Sequence, residues 1–149
     1  GLVRRRREGN NGVQILLPFR RSVLLRIEPL SSKERAFLEE GCTLFNEGKF
    51  WHAHESWEDL WNGLKKRTAA PEEILLVQGM IQTAALLLHH QRKNKAGVDK
   101  QWAKLKQKLE HWGTAWDLDI AAHLATIKTY VEDTDGWALN AEDHQFPRA

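Results

Sequence analysis

The stretch PEEILLVQGMIQTAALLLHH, residues 71–90, decides the fold. Proline suits the first position of a helix, so Pro71 opens one, and Glu72 and Glu73 in the first turn complement the helix dipole. Beyond them, Ile74, Leu75, Leu76, Val77, Met80, Ile81, Ala84, Ala85, Leu86, Leu87 and Leu88 cover nearly the whole circumference. A helix that is apolar all round has to be buried. This third helix is therefore the expected centre of the molecule, wrapped by its neighbours.

Outward from it the chain reads as helix, turn, helix. Ser31 and Ser32 followed by Glu34 form an N-cap signal, with Phe37, Leu38, Cys42, Leu44 and Phe45 at helical spacing and Gly48 as the stop. A second helix is expected from about 50 to 64, a fourth from about 98 to 112 after a break at Asn94 to Gly97, and a fifth from about 118 to 131. Five helices with short loops imply an all-α single domain, a bundle or array, over residues 31–134. Residues 135–149 read as an irregular tail. Residues 1–30 read as a basic flexible or extended arm, with a strand expected near Val23 to Ile27.

Composition narrows the class. Hydrophobic residues make up 42% and charged residues 28% of the 149, as in ordinary globular domains. Seven tryptophans is a high number; their large apolar area suits core packing first and interfaces second. The net charge is +2, which gives no general case for nucleic acid. The basic excess is local to Arg4, Arg5, Arg6, Arg7, Arg20, Arg21 and Arg26, so any nucleic-acid contact would use the arm and be steeply salt-dependent. The single cysteine, Cys42, excludes an internal disulfide and fits a reducing compartment. No apolar run reaches the roughly 18 residues that span a bilayer. The only methionine is Met80, so the chain begins without an initiator and reads as a processed product. A cytoplasmic setting is expected, with an organellar stroma as the alternative suggested by the arginine-rich leader.

Chemistry concentrates on the second helix. On a helical wheel, His54 and Glu58 fall among Phe50, Trp51, Trp57 and Trp61, with Asp59, Asn62 and Lys66 opposite and Glu55 at the edge. A carboxylate on a buried face requires a partner or a metal. The third helix offers Gln78, Gln82 and His89 as a polar stripe, so the two stripes are expected to face each other. One reading is a divalent metal site or acid–base pair, with His54 and Glu58 as ligands and Glu55 or Glu58 as catalytic carboxylates. Amide oxygens from the glutamines would favour a hard ion such as Mg²⁺ or Mn²⁺. The other is a buried hydrogen-bond network of His54, Glu58, Gln78, Gln82 and His89 that fixes helix register. The string lacks the second histidine of a zincin motif, and no second helix supplies a Glu-x-x-His for a di-iron site. Of the tandem histidines, His89 is the expected inward one. His52 is expected to be exposed, Cys42 to sit in the core, and Lys100, Lys104, Lys106 and Lys108 to form a solvated face. There is no Gly-rich phosphate loop, G-x-S-x-G or paired C-x-x-C.

The run Phe45 to Trp61, FNEGKFWHAHESWEDLW, together with Val77 to Ala85, VQGMIQTAA, resembles the two motifs of domain-of-unknown-function family 309. His89 and Gly97 fall where that family places a histidine and a Gly-Ala turn, here Gly97-Val98, and the likeness covers about residues 33–112. The resemblance implies an all-helical fold found in bacteria, archaea and plastids, sometimes labelled a predicted metal-dependent hydrolase. It also implies that His54, Glu55, Glu58, Gln78 and Gln82 are motif residues. The arginine-rich arm lies outside the family domain. Two functions therefore compete: a divalent-metal-dependent hydrolase, and a non-catalytic binding or scaffold domain, homodimeric through its surplus tryptophans.

Overall fold

The computed structural model describes residues 29–149 and the backbone of two strands, β1 (Gly12–Leu16) and β2 (Ser22–Arg26). The strands pair antiparallel, Gly12 opposite Arg26 and Leu16 opposite Ser22. Within the expected arm, Arg4 to Arg7, Arg20 and Arg21 lie outside the described residues.

Five helices follow: α1 (Ser32–Asn46), α2 (Phe50–Lys66), α3 (Pro71–Gln91), α4 (Lys95–Leu109) and α5 (Ile120–Glu132). The protein is all-α, and α3 is its centre, packed between α2 and α4 while α1 covers α2. Each boundary has a local cause. Ser31 Oγ accepts from the Glu34 N–H while Glu34 Oε1 accepts from the Ser31 N–H, a complete capping box. Glu34 also accepts from Arg67 Nε at 2.8 Å, which ties the start of α1 to the end of α2. Asn94, expected to break the chain, instead caps α4 by accepting from the Gly97 N–H, so α4 starts three residues earlier than its apolar pattern does.

Between α4 and α5 lies a hairpin that periodicity does not reveal, β3 (Thr114–Ala115) and β4 (Leu118–Asp119). Its turn residues, Trp116 and Asp117, have φ of 50° and 69°, the double left-handed conformation of a tight hairpin turn. Burial of the Trp116 side chain offsets the backbone cost. The segment after α5 makes one 3-10 turn, Ala141–Asp143, and buries Ala141, His144 and Phe146. Its end pairs with the hairpin, Asp119 N–H donating to Pro147 O and Ala149 N–H to Asp117 O. Arg148 then clamps Glu39 of α1 with two hydrogen bonds.

Phe50, Ala53, Trp57, Leu60 and Leu64 of α2 are all buried. The Trp57 ring lies over Gly41 of α1, where a β-carbon would overlap the indole, and its Nε1 donates to Leu38 O at 3.2 Å. Gly63 has nothing within 4 Å of the same position. Both are helical glycines, so alanine should gain about 0.5–1 kcal/mol of propensity at each. Gly63→Ala should therefore raise the urea midpoint, whereas Gly41→Ala should lower it, because overpacking costs about 1–3 kcal/mol. Midpoints that move the same way would contradict this packing.

Candidate functional site

Helix α2 carries two seams at 3-4-3-4 spacing, one residue apart. The first, Phe50, Ala53, Trp57, Leu60 and Leu64, faces the core. The second, Trp51, His54, Glu58, Trp61 and Lys65, runs along the outer flank. Trp51 is 54% exposed, and the side chains of His54 and Glu58 are 22% and 46% exposed. This corrects the buried placement expected for Glu58. Reading Trp51 and Trp61 as core turned the wheel by one residue, about 100°. Solvent therefore answers Glu58, and its charge carries no large desolvation cost.

The flank has a definite local structure. The His54 ring stacks on Trp51, centroids 5.3 Å apart and planes 6° from parallel. His54 Nδ1 lies 3.7 Å from Glu58 Oε1, beyond hydrogen-bond range, and this buried nitrogen has no hydrogen-bond partner. One turn on, Trp61 Nε1 is also buried without a partner, and Lys65 Nζ sits 3.5 Å over the Trp61 ring, a cation–π contact. Glu55 is exposed and meets His52 at 3.4 Å, also on the surface.

The glutamine and histidine stripe of α3 turns toward α4. Gln82 Oε1 accepts from Lys108 Nζ at 3.1 Å, and burial together with neighbouring Lys104 holds the Lys108 pKa below the usual lysine value. His89 packs on Gly97, where a β-carbon would overlap its ring, and its Nδ1 meets Asn94 Nδ2 at 3.2 Å. Gln78 is half-buried. Among the described residues, no hydrogen bond joins His54 or Glu58 to Gln78, Gln82 or His89, and no group of three His, Cys, Asp or Glu could hold a metal ion. Within one chain, an ion on the outer seam would meet His54 and Glu58 alone. That donor set does not fit the Mg²⁺, Mn²⁺ or zinc chemistry that a metal-dependent hydrolase requires.

Two polar groups that sequence reasoning missed are better ordered. His90, not His89, is the buried member of the tandem. Its Nε2 lies 2.8 Å from Asp133 Oδ2, and Asp133 also accepts from the Ala138 and Leu139 N–H groups. Burial raises the Asp133 pKa, but these N–H donors and His90 outweigh it and hold the carboxyl below its ordinary value. The second group is a chain of His144, His123 and Thr83, with contacts of 3.0 and 2.9 Å, ending where Thr83 Oγ1 donates to Met80 O. His123 stands at 3-4-3 spacing with Ile120, Ile127 and Tyr130, a pattern visible in the sequence. His144 belongs to the tail and has no such signal. Cys42 is buried as expected, and burial pushes its thiol up to about 12, which keeps it protonated and unreactive.

Fold and site together define an all-helical domain whose motif histidine and glutamate lie on an outer helix flank. Residues 38–100 match the family described as domain of unknown function (DUF309). No curated protein and no solved structure matches the chain. No helix of the described residues is long and apolar enough to cross a membrane.

Proposed function

We propose that the domain is a non-catalytic scaffold that works as a homodimer, joined α2 to α2 along the outer seam. The carrying observation is the second heptad-spaced seam on α2, which sets the half-exposed Trp51 beside the partly exposed His54 and Glu58. A 3-4 seam is what one helix offers another.

The order of residues favours a second copy as occupant. In a two-fold pair the same surface meets itself with helices antiparallel. With the axis between His54 and Glu58, Trp51 meets the partner's Trp61, and His54 meets the partner's Glu58. Each pair occurs twice, and no like charges face each other at the axis. The surplus tryptophans then lie at the interface, where aromatic anchors contribute most.

Sedimentation equilibrium between 1 and 100 µM, concentrations chosen to span about 8 to 5.5 kcal/mol of association, tests this. Wild-type protein is expected to approach twice the 17.2 kDa chain mass. Glu58→Lys should weaken the dimer at least ten-fold, whereas His54→Glu combined with Glu58→His should leave it near wild-type strength, because the exchange keeps both cross-axis pairs. A monomer at 100 µM, or a dimer indifferent to Glu58→Lys, overturns the proposal. Stoichiometric divalent metal in protein purified without chelator, lost in His54→Ala, would instead support the metal-dependent hydrolase.

A further inference from the structure

A cleft of about 340 Å³ lies between the C-terminal end of α3 and the segment after α5, lined by His90, Lys93, Trp137, Leu139, Asn140 and Glu142 among others. That volume is at the small end of ligand sites and suits a molecule of one or two rings. We propose that this cleft binds a small, neutral, planar molecule bearing a hydroxyl or ring N–H, which donates its proton to His90.

The orientation of His90 supplies the acceptor. Asp133 already takes two backbone N–H groups and lies within hydrogen-bond distance of His90 Nε2, so it serves as a carboxylate and the histidine proton resides on Nε2. Nδ1, the other ring nitrogen, makes no hydrogen bond among the described residues, and on the neutral ring it is the acceptor. The side chain is only 3% exposed, and its ring is held edge-on by Tyr130 and Trp137 at 5.1 and 5.2 Å. It is a fixed acceptor, not a flexible surface group. A histidine oriented by a carboxylate through one nitrogen, with the other available, is the arrangement that receives a proton from a bound group.

The walls specify the rest. Trp137 has a left-handed backbone, φ 51°, an uncommon conformation for a bulky residue and one that tends to persist at binding sites. Leu139 is among the few exposed large hydrophobics of the described residues and adds a second apolar wall. Lys93 and Glu142 place one charge of each sign at the rim, so the cleft favours a neutral ligand over an ion.

Titrating isotope-labelled full-length protein with phenol, and separately with toluene, tests the site by amide chemical shifts. Phenol should give saturable shifts confined to residues 90–93 and 137–142, and should bind at least five-fold more tightly than toluene, which has the ring without the donor. His90→Phe should abolish that preference, and Trp137→Ala should weaken both probes without unfolding the domain. Equal binding of phenol and toluene to the wild-type protein, or no saturable shift with phenol, overturns the proposal.

Discussion

Trp57→Ala should lower the unfolding free energy by about 3–5 kcal/mol, the cost of removing a fully buried indole, while Trp51→Ala should change the isolated monomer by less than about 1 kcal/mol. The two tryptophans are six residues apart on one helix and lie on different seams. Trp57 is fully buried, with its ring 5.7 Å from Phe45 and 5.9 Å from Phe146 and its N–H on Leu38 O. Its loss leaves a cavity between α1, α2 and the C-terminal segment, bounded by the Gly41 backbone, which has no side chain with which to fill it. Trp51 contacts the His54 ring and solvent. Urea unfolding at low micromolar concentration separates the effects, since loss of an interface appears only as concentration dependence. Equal losses in the two variants would mean that the seams are wrongly assigned.

The same pair shows how much of the molecule was legible. The apolar circumference of α3 announced its central place, because no solvated position can hold eleven apolar side chains. The N-cap at Ser31 and the proline at the start of α3 are local signals and read correctly. The identity of the buried α2 seam turns on one residue, and residue type misled: tryptophan has both an apolar body and a polar edge, so Trp51 counts as core although it is exposed, and Trp61 although it only borders the core. Phe50, Ala53, Leu60 and Leu64, which lack that ambiguity, already marked the inner seam. The His–Glu pair was thus found on the right helix and turned to the wrong side. Gln82 and His89 were misdirected for a different reason. Periodicity gives the face of a helix but not which neighbour covers it, and here the neighbour is α4, through Lys108 and Gly97. The contacts that seat His144, Phe146 and Arg148 on α1 and α5 join residues about 20 to 110 positions apart, and no local pattern encodes them.

Acidification should destabilise the protein well before its carboxylates titrate, and the His144–His123 chain is the cause. The Thr83 hydroxyl has one proton, and it is donated to Met80 O at 2.7 Å. Thr83 Oγ1 must then accept from His123 Nε2–H, His123 Nδ1 is left as an acceptor, and His144 Nε2–H donates to it. Each ring in this chain is neutral, and an added proton on His123 Nδ1 would oppose the N–H of His144. Phe45 and Phe146 pack on both rings or beside them and offer no counter-charge. Burial accordingly lowers both histidine pKa values, that of His123 well below 6.5 and further through the like charge of His144, and that of His144 to about 4. Because the folded-state values lie below the unfolded one, the unfolded chain binds protons more readily. Stability is complete above about pH 6.5 and falls as the pH drops toward 4. His144 alone accounts for about 3 kcal/mol over that interval. With both histidines the slope approaches about 2.7 kcal/mol per pH unit. Glu34 and Glu39 add a separate loss at lower pH: burial opposes ionisation of Glu34 but its hydrogen bond to Arg67 prevails, and the hydrogen bond from Arg148 lowers Glu39, so each loses stability only as it falls below the ordinary 4.5. Urea unfolding at pH 7, 6 and 5 therefore reads the histidines with little carboxylate contribution. His144→Gln, whose amide can still donate to His123, should reduce the slope by about half. A stability that stays flat between pH 7 and 5, or a slope that His144→Gln leaves unchanged, would show that the two rings are not the neutral, buried chain described.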